Sequence, residues 1–391
     1  MTTTGFVFLI LKWIEFIMLF LSGKALESTK TRNRYWQIAI IPIVVFALVE
    51  GLRWGRLIDW NNAVVEYSEL NTFVNERNTS NPLYTVVVFS LKCLGLPYWF
   101  FVVLQCGFLM FSSLFLLQDY RRYLRWILPC LIMAFINNEN FIRYYFAVSF
   151  LFIAIYYYLH GSIRNYVIFS VTTALIHFSQ VPLLLLVPFI NRLDKRKFSR
   201  AYAIVIYLVC LFLVDISQMS ILVKISDYIV SLMGTESEYR LFSALNSMND
   251  IISGTAYGTE ERLFIRKLSN IIANALLYVP LLWMAPSYLK NIKYGNMIYN
   301  LTVLNLILTA VFGQAELLHR IPMSFNIFVV ISFAAVVANS ISKNKNVVLV
   351  YMMLFIYFYA FLNAPFVRED YMMYFLWDSN GAATNYTPYL H

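Results

Sequence analysis

Long apolar runs separated by short polar turns organise this chain from end to end. Crossing about 30 Å of hydrocarbon takes a helix of about 20 residues. Runs of that length or slightly less recur at 5–21, 35–52, 97–117, 126–138, 141–159, 166–190, 201–219, 269–289, 297–312, 321–339 and 347–363, with a shorter one at 82–95. A transmembrane barrel would instead alternate apolar and polar residues over short segments, and no such alternation runs through the chain. The pattern predicts an all-α polytopic integral membrane protein with about 11–13 membrane helices, some broken or re-entrant.

Composition agrees and excludes other classes. Hydrophobic residues make up 60% and charged residues 13% of the 391, and mean hydropathy is +0.65, which the surface of a water-soluble domain does not sustain. The net charge of +9 comes from basic residues in short loops, chiefly Lys24–Arg34, Arg121–Arg125, Arg192–Arg200, Lys290–Lys293 and Lys343–Lys345. There they set topology and mark the cytoplasmic side. The partner this implies is the lipid bilayer, not nucleic acid. The four cysteines, Cys93, Cys106, Cys130 and Cys210, fall in apolar runs without a CxxC, so neither a disulfide framework nor a zinc site is expected. The first run follows an uncharged start, lacks a basic n-region and is expected to be retained as a helix. Its Lys12 and Glu15 are three apart and pair on one face. No internal repeat or low-complexity segment interrupts the chain, so 1–391 reads as one membrane domain.

Crossing parity places the polar groups. With the basic loops inside, the number of crossings between any two of them is even. The run 166–190 contains His177, Ser179, Gln180, Pro182 and Pro188. Parity requires it to be two short half-helices with His177–Gln180 at the outward apex, a break tolerated where backbone lines a cavity or is buried in protein. Between Arg34 and Arg121 one run is not a full crossing, and 82–95, which contains Lys92, is the re-entrant or interfacial candidate. External segments are then 53–81, 220–268 and the tail 364–391. Glu316, His319 and Arg320 lie in an external turn.

Five external places supply charge: Arg53, Arg56 and Asp59, which share a face if the second helix extends through them; Arg143; His177; Arg320; and the tail with Arg368, Glu369 and Asp370. Arginines outside run against the usual inside bias of basic residues, and a guanidinium fork suits phosphate oxygens. The plainer alternatives stay open: interfacial arginines paired with their own acids, and a hydrogen-bonded core imidazole for His177. Arg143 opens a helix, and Arg320 precedes Pro322 as in the first turn of a span. The tyrosines around 144–145 and 156–158 read as interface belt or packing residues. The chain has no Asp-x-Asp, Walker loop, HExxH or GxSxG, so no metal site and no cofactor are expected.

These residues resemble a known family. Asn140-x-x-Arg143 opening a helix, a basic turn near Arg164, then Ala174-x-x-His177-x-Ser179 look like the EpsG-type branch of the Wzy polysaccharide polymerases. Arg53-x5-Asp59 resembles its extracytoplasmic arginine–aspartate element, Asn81-Pro82-Leu83-Tyr84 its E-P-x-Y-like element, Arg320 its late arginine and Pro388-Tyr389 its PY ending. Tyr144 stands where the family often has Gln, Leu57 where it has Gly, and Asn81 where an acid is common. The resemblance implies a GT-C-like fold and a glycosyltransferase in the bacterial inner membrane. That enzyme would polymerise undecaprenyl-diphosphate-linked oligosaccharide repeats at the periplasmic face by block transfer, with a chain-length regulator protein as partner. His177, Arg143 and Asp59 would be catalytic, and Arg53, Arg56, Arg320, Tyr144 and Ser179 would bind diphosphate or substrate. An O-antigen-ligase-like enzyme or a transferase using a polyprenyl-phosphate sugar would need the same anion clamp. A lipid-linked oligosaccharide flippase would show duplicated halves, which the sequence lacks.

Overall fold

Backbone in hydrocarbon has no water to bond, and a helix satisfies its amides within its own segment, so the apolar runs fold as helices. The computed structural model describes residues 3–53, 58–71, 81–136, 138, 141–177, 180–189, 194, 195, 197–213, 260–312 and 316–367. Among these there is no strand. Six helices among the described residues are long and apolar enough to cross a membrane. The protein is a multi-pass, all-α membrane protein.

The chain divides into two units. The first comprises 1–192, 333–350 and 357–391, and the second 193–332 and 351–356.

In the first unit, α1 (Thr3–Glu27) turns directly into α2 (Arg32–Gly51). Thr31 caps α2, its hydroxyl accepting the Arg34 amide at 3.3 Å, which satisfies one of the orphan donors of the first turn. Then follow α3 (Ile58–Glu69), α4 (Pro82–Cys93), α5 (Tyr98–Leu116), α6 (Leu124–Ala134), α7 (Ile142–Leu159), α8 (Ile163–Ile176) and α9 (Val181–Leu186). α5 and α6 are one apolar stretch broken at Tyr120 (φ −111°, ψ 25°) inside a 3-10 segment, Leu117–Tyr123. Packing neighbours run α6, α1, α2, α5, α7, α8, with α4 against α5 and α8. Gly161, at φ 75°, turns the chain from α7 into α8, a left-handed conformation that a side chain would strain.

Close approach decides the α1–α6 seam. A Cβ at Gly23 would collide with the Leu124 carbonyl oxygen and stand 2.7 Å from the Arg125 Cα, both backbone atoms that cannot rotate away. Gly23→Ala is therefore expected to cost about 1–3 kcal/mol through overpacking, read as a lower thermal unfolding midpoint of the purified protein in detergent.

The structure revises several expectations. The polar segment 53–81 contains a helix, α3. A single helical extension through Arg53, Arg56 and Asp59 does not form: α2 ends at Gly51 and Asp59 belongs to α3. The break expected at His177 is present: α8 stops at Ile176 and His177 is extended (φ −155°, ψ 109°). The short run at 82–95 is α4, whose 12 residues span about 18 Å at 1.5 Å per residue, too little for a crossing. Lys92, near its end, donates to the carbonyls of Ser68 (2.7 Å) and Leu70 (2.9 Å), and the Tyr84 hydroxyl near its start lies 3.1 Å from that of Tyr98. Both ends of α4 are thus held near α3 and the start of α5.

The second unit contains α10 (Arg200–Leu213), α11 (Glu260–Leu289), α12 (Gly295–Phe312) and α13 (Glu316–Met323). Next come α14 (Asn326–Ser342) and α15 (Val347–Val367), whose residues are shared between the two units. The Asp194 carboxylate accepts the Met297 amide at 3.0 Å in the first turn of α12. Residues 214–259 lie outside the described residues, and α11 begins at Glu260, inside the segment 220–268 expected to be a loop. The run 321–339 is not one helix. α13 ends at Met323, and Asn305 donates to the Pro322 carbonyl at 2.6 Å and to Asn326 Oδ1 at 3.1 Å, supplying a donor at the break.

Candidate active site

Arg143 sits in the first turn of α7 because the preceding loop delivers it there: Asn138 is buried and exchanges amide bonds with Gln105 of α5 (3.1 and 3.2 Å). Its guanidinium pairs with the Glu66 carboxylate of α3. It also lies 5.0 Å from the centroid of the Tyr84 ring of α4, a cation–π contact that orients the planar fork. Both members of the pair are mostly but not fully buried, at 19% and 16% side-chain exposure, so the pair remains reachable from solvent. A shallow, water-sized indentation adjoins it, lined by Ala63, Glu66, Tyr67, Leu70, Tyr84, Thr85 and Val88.

The walls of the indentation are held by aromatic and polar contacts. Trp60 and Tyr67 of α3 meet the Tyr98 ring at 5.8 and 5.5 Å. The Tyr67 hydroxyl donates to the Leu96 carbonyl. Burial, with a smaller effect from Cys93, raises the Tyr67 phenol above its ordinary range, so at neutral pH it is a neutral donor for that bond.

Next to Arg143, Tyr144 is fully buried and meets the His177 ring edge to face at 6.0 Å. α7 and α8 are antiparallel neighbours joined by a tight turn, so the start of one and the end of the other share one end of the bundle. Arg143, Tyr144 and His177 are brought together there. The other end carries the basic turns, where Arg125 pairs with Glu27 (3.1 Å) and His160 faces Asp119 (3.3 Å). His177 is half-buried, its amide donating to the Thr173 carbonyl at 3.0 Å and its carbonyl accepting from the Gln180 amide at 3.2 Å. A backbone hydrogen bond thus links His177 to Gln180 across the break, and the imidazole faces Tyr144.

Arg53 stands apart from this indentation in a four-charge network. It pairs with Glu50 at 2.6 Å; Glu50 also pairs with Lys12; and Lys12 pairs with Glu15 at 3.0 Å. All four residues are buried. The expected Lys12–Glu15 pair is present, extended by Glu50 and Arg53, and the Arg53 guanidinium also lies 5.3 Å from the Phe8 ring centroid. Two cations and two anions neutralise one another where desolvated charge is expensive.

In the second unit, Arg320 lies in the last turn of α13, not in the first turn of a span, and its charge sits at the negative end of that helix. Glu316 and His319 likewise belong to this helix, where a turn was expected. Arg56, Ser179 and the tail residues Arg368, Glu369 and Asp370 lie outside the described residues, and only the backbone of Asp59 is described. Among the described residues no group of three His, Cys, Asp or Glu side chains is placed to hold a metal ion.

Sequence reasoning missed Glu66 and Glu50. Glu50 carried a legible signal, an acid inside an apolar run three residues from an arginine. Glu66 carried little, being one acid among several in a polar stretch, and only the packing of α3 singles it out.

Comparison with curated proteins and with solved structures found no match. The EpsG family model matches residues 36–380, most of the chain, and together with the helical membrane architecture this places the protein in the EpsG family, a family of Wzy-type polysaccharide polymerases.

Proposed function

We propose that this polysaccharide polymerase is a glycosyltransferase acting on oligosaccharide repeats carried by undecaprenyl diphosphate, at the periplasmic face of the bacterial inner membrane. The observation that carries the reading is that Arg143, in the first turn of α7, and His177, whose ring meets that of Tyr144 beside Arg143, lie at the same end of the bundle, opposite the basic turns. Basic turns favour the cytoplasm, so this end faces outward.

Transfer from a lipid diphosphate develops negative charge on the departing diphosphate, and fixed guanidiniums aimed at that position stabilise it without a metal ion. Arg143 takes that role. His177 accepts the proton of the acceptor hydroxyl; the acceptor oxygen bonds to the anomeric carbon as the bond from that carbon to the diphosphate oxygen breaks, and the diphosphate leaves with the electron pair. Tyr144 orients the His177 ring by its edge-to-face contact. Arg320, Arg56, Asp59 and Ser179 carry supporting assignments from their motifs. Arg53, neutralised by Glu50, supports the helix ends rather than the diphosphate. A chain-length regulator is the protein partner this reaction calls for.

Purified protein given lipid-linked repeat units alone is expected to convert them into a ladder of longer lipid-linked chains, resolved on a gel. Repeats that remain single, or that move across a vesicle membrane without lengthening, would overturn the reading in favour of a ligase or a flippase.

A further inference from the structure

The charge partner of Arg143 is a side chain that the reaction above does not use. Glu66 comes from α3, a helix outside the long apolar bundle, and reaches Arg143 across 77 positions of sequence. α3 is anchored by polar bonds around its last turn, next to Glu66, through Lys92 and Tyr67, so the carboxylate is delivered to the guanidinium by packing. Near the membrane an unpaired guanidinium is costly, and Arg143 therefore needs an anion. The same donors and the same charge suit a phosphate group.

We propose that Glu66 is the exchangeable counter-ion of Arg143: its carboxylate stands on the guanidinium where a substrate diphosphate binds, and binding displaces it toward solvent. This rests on the reading of Arg143 as a diphosphate clamp. Two observations point to exchange rather than a permanent structural pair. Both side chains keep measurable exposure, unlike the network around Glu50, whose members are almost wholly buried. The Tyr84 ring holds the guanidinium from its face, so Arg143 stays oriented when the carboxylate leaves. A multiply charged diphosphate outcompetes a single carboxylate on Coulomb grounds, but its apparent affinity is reduced by the fraction of time Glu66 occupies the site.

The test measures binding of a polyprenyl diphosphate to the full chain in lipid nanodiscs. Glu66→Gln, which keeps the shape and removes the charge, is expected to tighten binding by about tenfold, and Glu66→Asp to stay near wild type. Arg143→Ala is expected to lose binding, and the gain from Glu66→Gln is expected to vanish in the Arg143→Ala background. Unchanged or weaker binding in Glu66→Gln, with Arg143→Ala still defective, would overturn the exchange alone, as would an equal gain in both backgrounds. Wild-type affinity in Arg143→Ala would overturn the clamp and the exchange with it. If Glu66→Gln does not fold, Glu66→Asp decides: the exchange requires it to fold and bind like wild type, and a large loss of affinity would mark the carboxylate as a fixed structural partner.

Discussion

Arg143→Ala is expected to abolish long polymer while the amount of protein in the membrane stays at the wild-type level. Removing a donor aimed at developing charge typically costs about 10²-fold or more in rate, and successive transfers compound that loss along the chain. The structural cost is small by comparison. The Glu66 left behind keeps 16% side-chain exposure, so water reaches it in place of the guanidinium and the cost stays below the about 3–5 kcal/mol of breaking a fully buried pair. Arg143→Lys keeps the charge but loses the bidentate fork and the stacked face on Tyr84, so an intermediate yield of shorter chains is expected. The measurements are a polymer gel and an immunoblot of the membrane fraction from cells carrying each variant. Long polymer from the alanine variant would sink the assignment, and lost polymer with equally lost protein would reduce Arg143 to a packing residue.

Glu50→Gln is expected to have the largest effect on stability. Glu50 is shared by Lys12 and Arg53, so neutralising it leaves two buried cations facing one remaining anion, Glu15. Breaking a buried pair in this way costs about 3–5 kcal/mol because the uncompensated charge stays desolvated. The expected readout is a strongly depleted membrane level and a lowered unfolding midpoint in detergent. Removing one charge of each sign is a different matter. Lys12→Met with Glu15→Leu leaves the Glu50–Arg53 pair at 2.6 Å intact, and apolar replacement of a buried ion pair is often neutral; this double variant is expected near wild type. Glu50→Gln at wild-type level would show that water or lipid headgroups reach the network.

Much of this was legible in one dimension. The apolar runs mark the helices because each must satisfy its own backbone, and parity of the basic loops requires the break at His177. The short run at 82–95 was identifiable by length alone. Less legible were elements without a membrane-length run. α3 is a helix of mixed polarity in a stretch that reads as polar loop, and the stop at Met323 depends on Asn305 reaching the Pro322 carbonyl from another helix.

The sequence by itself determined the class of this protein, the approximate positions of its spans, and Arg143 and His177 as costly residues requiring a reason, because hydrophobicity and charge are properties of the residues one at a time. Only the tertiary structure decided the partners. Arg53 turned inward to Glu50, and Arg143 turned outward to Glu66 over the face of Tyr84. Charge pairing in a low-dielectric setting depends on distances of a few ångströms between helices far apart in sequence, and no spacing along the chain encodes them.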